Sequence, residues 1–184
     1  MDEDLLNKLK ASLTDYDNAN YKERFFRYWK LSKVEPNEFL IMGMSETVIL
    51  FNEIKETYIN GQLLATLILI QIFIEKLFNN HLNSLNPELN LKSLYDMIQY
   101  SRKNELFSSD FLDLIDKLRK IRNPLVHQNT IEFDKRIANR CYKNCKPAYE
   151  QLEEEADEAL ILLFIIIKEK IFILDNGIEF IDFQ

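Results

Sequence analysis

The sequence predicts an all-α fold: a bundle of four to five long helices with an N-terminal helical extension. Three observations carry that reading. Only three Gly and four Pro occur among 184 residues, so the chain is poor in turn formers. Its composition is 47% apolar and rich in Leu, Ile, Lys, Glu and Asn, which suits long helices with short connections. Apolar residues also recur at helical spacing through successive segments, with alternation confined to the C-terminal end.

Residues 2–16 place Leu5, Leu6, Leu9 and Leu13 on one helical face. Residues 20–31 carry Tyr21, Phe25, Tyr28 and Trp29, a second amphipathic helix whose aromatic stripe reads as core packing rather than a base-stacking platform. The pattern breaks at 34–36, where Pro36 suits the first turn of a new segment, and the short apolar stretch 38–44 receives no assignment. Ser45 followed by Glu46 marks a helix start, with Val48, Phe51, Ile54 and Tyr58 on one face. Asn60 and Gly61 then end that helix.

Residues 62–82 are apolar almost all round, which places this helix at the centre of a bundle. Glu75 is the exception within it, and a buried carboxylate needs a partner; Lys76 or solvent is the ordinary one. Residues 83–90 read as a loop with Pro87, and 91–100 as a shorter helix. Ser109 or Asp110 caps the next helix, whose apolar face runs Phe111, Leu114, Leu118, Ile121 and Leu125. Residues 128–150 are polar and basic, 153–158 acidic, and 156–174 form the last helix. The tail 175–184 alternates apolar and acidic residues, as a short strand or an extended arm does. The implied organisation is an extension over 1–43, a bundle over 44–174 and a tail over 175–184.

The bulk properties narrow the function. One ordinary domain, or one with an extension, accounts for the length. A formal net charge of −7 argues against a general nucleic-acid coat protein but leaves room for a local basic site. Cys141 and Cys145, the only thiols, provide no disulfide framework and read as free thiols of a reducing cytoplasm. The N-terminus lacks a signal-peptide pattern, and the greasiest stretch, 159–167, is far short of the ~20 apolar residues of a bilayer span, so no membrane role is expected.

Positive charge gathers on one turn: Lys117, Arg119, Lys120 and Arg122, just before His127. On a helix Arg119, Asn123 and His127 share a face, and Pro124 introduces a bend or a helix end. An always-charged guanidinium, an amide and a side chain that exchanges protons near neutral pH are the groups phosphodiester cleavage uses. By spacing alone, a solvated basic face followed by a loop histidine accounts for them as well. His81 reads as a capping or surface residue. The Cys and His residues lack zinc-site spacing, and no Gly-rich phosphate loop is present.

The run Leu118-x-x-Ile121-Arg122-Asn123-Pro124-Leu125-Val126-His127 resembles the signature of HEPN domains, in which an Arg, usually followed by a polar residue, precedes a His by a short spacer. Residues 58–78 (YINGQLLATLILIQIFIEKLF) resemble that family's second helix, which carries a Glu near its end. The resemblance covers roughly residues 45–174. It implies a metal-independent endoribonuclease, without cofactor, acting on RNA as a homodimer with the two motifs facing each other. Arg122 would bind the scissile phosphate, and His127 would be general base at the ribose 2′-OH or general acid at the 5′-O, leaving 2′,3′-cyclic phosphate and 5′-OH ends. Asn123 would contact the phosphate or fix the motif, Glu75 and Arg119 would support it, and Lys117 and Lys120 would hold RNA.

A toxin or antiphage-defence effector is the implied role, with a cognate antitoxin or defence-system protein as a further partner. One departure is Asn129, which occupies the position of the Tyr that a nucleotidyltransferase partner modifies in some HEPN toxins. Silencing by that route is therefore not expected. A different class of function, a non-catalytic HEPN-like helical module binding a partner protein or a nucleotide, fits the acidic charge and the long extension.

Overall fold

The computed structural model describes residues 3–36, 45–126 and 136–168, and every regular element among them is helical. These are α1 (Glu3–Val34), α2 (Ser45–Ile59), α3 (Leu63–Leu85), α4 (Leu94–Lys103), α5 (Ser109–Val126), α6 (Ile137–Asn144) and α7 (Ala148–Lys168). The all-α expectation holds. The unassigned stretch 38–44 and the tail 175–184 lie outside the described residues.

Helix α3 is the axis of the bundle, packing against α2, α4, α5 and α7. Its all-round apolarity has that consequence: Phe73, Ile74 and Phe78 are fully buried, and they meet Ile54 of α2, Ile98 of α4, Ile115 of α5 and Leu163 of α7 in one core. Phe51 stacks obliquely on Phe73 at 5.6 Å and meets Phe164 edge-on at 6.1 Å, which ties α2, α3 and α7 together. Helix α3 is long and apolar enough to cross a membrane by length and composition, and half of that apolar window is buried inside the bundle.

The connections follow local chemistry. Gly61 turns the chain between α2 and α3 at φ +73°, a conformation that L side chains rarely adopt. Ser93 caps α4 by accepting from the Asp96 amide at 3.1 Å. Ser108, rather than the residues singled out from the sequence, accepts from the Phe111 amide at the start of α5. Helix α7 begins at Ala148, so the acidic run 153–158 lies within it rather than before it.

Two expectations for the N-terminal region are corrected. Residues 2–16 and 20–31 are not two helices but parts of one, because neither Gly nor Pro interrupts 3–34 and Asn20 donates to the Tyr16 carbonyl at 2.7 Å. The aromatic stripe is not core packing. Tyr21, Phe25, Tyr28 and Trp29 are exposed, and of the whole helix only Arg27 and Leu31 are buried.

What does dock α1 is a charged cluster. Arg27, 3% exposed, reaches Glu153 at 3.3 Å, Glu23 at 3.3 Å and the Tyr149 hydroxyl. Lys30 binds Asp157 at 2.7 Å, and Asp157 also accepts from the Tyr58 hydroxyl at 2.5 Å. Burial, together with the Asp157 carboxylate, pushes the Tyr58 phenol far up, so it stays a donor. The last turns of α1 are thus clamped to α2 and α7, while residues 3–26 project past the bundle.

Candidate functional site

Helix α5 carries the basic turn. Its face of Phe111, Leu112, Ile115 and Leu118 is buried against α3 and α7. That packing sets which side chains are left at the edges. Pro124 does not end the helix, which runs to Val126; His127 and Asn129 lie outside the described residues.

Most cations of this turn are already paired. Asp116 accepts from Arg119 at 2.7 Å and from Lys120 at 2.7 Å, one turn along the same helix. Burial pushes the Asp116 carboxyl up, but the hydrogen bonds and charges of Lys120 and Arg119 outweigh it and hold the group below its ordinary value. Arg119 also lies over the Tyr95 ring of α4 at 5.2 Å. Lys117 reaches across to Glu158 of α7 at 2.6 Å. With its amide oriented to match donors with acceptors, Asn123 accepts from Arg119 Nη1 at 2.8 Å and donates to the Arg119 carbonyl at 3.3 Å. Asn123 and Arg119 are therefore coupled, as their four-residue spacing suggests.

Arg122 differs. Among the described residues it has no ion pair within contact distance, and its Nε is buried without a hydrogen-bond partner. Burial lowers its pKa, and the nearby Glu75 carboxylate opposes that shift. Glu75 is half-buried on α3 and does not take Lys76 as its partner, because Lys76 binds Glu46 of α2 at 2.8 Å. The structure thus brings the acidic residue of α3 within electrostatic reach of Arg122 on α5. Glu75 also borders an open cleft of ≈ 310 Å³ together with Lys76, Asn79 and Lys92.

Asp116, Glu158 and Tyr95 were not singled out from the sequence. Asp116 had a legible signal, standing three and four residues before Arg119 and Lys120; Tyr95 and Glu158 reach α5 only through packing. His81 is half-buried rather than fully solvated: its ring packs on Phe107 at 5.3 Å, and burial lowers its pKa. Among the described residues no cluster of three or more His, Cys, Asp or Glu side chains is placed to hold a metal ion. Comparison with family models, curated proteins and solved structures found no match.

Proposed function

We propose that this chain is an HEPN-type, metal-independent endoribonuclease that acts as a homodimer, in a toxin or antiphage-defence role. The observation that supports the reading best is the state of Arg122. In a turn where Asp116 and Glu158 neutralise every other basic side chain, Arg122 alone has no ion pair among the described residues and keeps a partly desolvated guanidinium within electrostatic reach of Glu75. A desolvated cation with unused donors binds a phosphate oxygen more strongly than a solvated, paired one.

In the proposed reaction Arg122 holds the scissile phosphate and offsets charge that develops on its oxygens. His127, five residues on, removes the 2′-OH proton or protonates the departing 5′-O. One imidazole does not do both at once, so the second protomer's His127 takes the other role. Asn123, held by Arg119, keeps the turn in register. Lys117 and Lys120 contribute a local positive field to RNA only as far as their acids release them. The test is cleavage of single-stranded RNA or tRNA in EDTA by the purified chain. Activity that needs added metal, or that survives both Arg122→Ala and His127→Ala, rules the mechanism out.

A second reading is a non-catalytic HEPN-like module that binds another protein, favoured by the exposed aromatic stripe of α1. It expects the cellular effect to survive His127→Ala and to disappear when Tyr21, Phe25 and Trp29 are replaced by polar residues. Growth of a bacterial host expressing each variant separates the two readings.

A further inference from the structure

We propose that residues 3–26 of α1 form an antiparallel helix pair with the same stretch of a second copy of this chain. The proposal rests on the projecting helix and its charge pattern, and stands whether or not the chain cleaves RNA.

The first observation is the apolar seam. Leu6, Leu9, Leu13 and Tyr16 follow the three-four-three spacing of a coiled-coil seam, and Leu9, Leu13 and Tyr16 are 56%, 63% and 65% exposed. Seven-residue steps from Leu6 pass through Leu13 and Asn20 to Arg27, drifting by only about 20° per heptad. Arg27 is buried against the bundle. The leucine seam is therefore the same face that α1 uses for docking, continued beyond the point where its own bundle ends. The described part of the chain offers nothing to cover it.

The second observation names the occupant. Seven-residue steps also connect Glu3, Lys10, Asp17 and Arg24, which line one edge of the seam with alternating sign. That they share an edge is seen directly, since Arg24 reaches Asp17 at 3.5 Å. The opposite edge carries Leu5, Ser12, Ala19 and Phe26, with no charge. A parallel pair sets one edge against the other and gains nothing from these charges. An antiparallel pair related by a two-fold axis sets the charged edge against itself.

Full overlap of the exposed stretch with its own copy then fixes the register. Leu13 meets Tyr16 and Leu9 meets Asn20 along the seam. On the charged edge Lys10 meets Asp17 and Glu3 meets Arg24, each twice by symmetry, so all four contacts join opposite charges. The overlap is about 36 Å long, and the two bundles sit at its opposite ends. Their α5 helices are then apart, so a contact between facing motifs is a separate interface.

Sedimentation equilibrium of the full chain at micromolar concentration tests this. The wild type is expected to be a dimer, or a tetramer where the α5 contact also forms, and Leu13→Glu halves that mass with helicity unchanged by circular dichroism. Lys10→Glu and Asp17→Lys each turn two attractive contacts repulsive and weaken association by about tenfold. The double variant Lys10→Glu/Asp17→Lys regains wild-type association. A monomeric wild type, or a mass insensitive to Leu13→Glu, overturns the pairing. Failure of the double variant to recover overturns the antiparallel register.

Discussion

Glu75 on α3 lies within electrostatic reach of Arg122 on α5, and its carboxylate favours the charge that burial of the guanidinium disfavours. Two opposing effects thus meet on one side chain. Arg122→Ala is expected to cut metal-free RNA cleavage by about 100-fold or more, the scale of losing one preorganised donor to a developing charge. Glu75→Gln leaves the cation in place and removes only its orienting field, with an expected loss of about tenfold. Initial rates in EDTA measure both. The urea midpoint of Arg122→Met is expected to equal or exceed that of the wild type, since a buried Nε without an acceptor costs stability.

Asp116 restrains Arg119 and Lys120, so its neutralisation bears on RNA affinity. Asp116→Asn is expected to tighten binding of single-stranded RNA at low salt. The plot of log affinity against log salt steepens by about 0.7 for each released cation that reaches a phosphate. An unchanged slope in a filter-binding titration means that neither side chain meets RNA.

Arg27 is a buried cation held by two carboxylates and a phenol, so removing it strands its partners. Arg27→Ala is expected to cost about 3 kcal/mol in a urea melt. Gly61→Ala reads the same junction from the other side. A Cβ there stands 2.9 Å from both Arg27 Nη1 and the Tyr149 hydroxyl, at positive φ, for an expected loss of about 1–2 kcal/mol. A Gly61→Ala variant as stable as the wild type excludes the close approach.

His81 supplies a pH dependence with a definite sign. Burial lowers its pKa below the ordinary 6.5, so the unfolded chain takes up a proton more readily than the folded one. Its contribution to stability is complete above pH 6.5 and is lost as pH falls through that value towards the lower folded one. His81→Phe, which keeps a ring against Phe107, is expected to flatten the decline in Tm between about pH 7 and pH 5. Parallel curves for the two proteins discard the assignment to His81.

The bundle was legible because its cause is periodic. The apolar run of 62–82 and the stripe from Phe111 to Leu118 each demand cover at helical spacing, and most of both is core, although Leu64 and Ile72 stay exposed and Leu114 is only partly buried. The cation pairs along α5 were half legible: Asp116 with Arg119 and Lys120 is local, while Lys117 with Glu158 joins residues far apart in the chain. The N-terminal aromatics misled for a physical reason. Spacing says that residues share a face, not that anything lies against it, and among the described residues Tyr21 and Phe25 stay exposed, stacked on each other rather than on the bundle.

By itself the sequence determined that the chain is helical, which helix is central, and where a guanidinium, an amide and an imidazole come close in number. Those features depend on spacing and composition, which a linear chain states outright. Only the tertiary structure decided that Glu75 answers Arg122 rather than Lys76, and that Arg119 and Lys120 are already paired. It also decided that α1 clamps on through Arg27 and that, among the described residues, nothing covers its leucine seam. Such matters turn on distance and burial between segments remote in sequence, and packing α3 at the centre is what sets them.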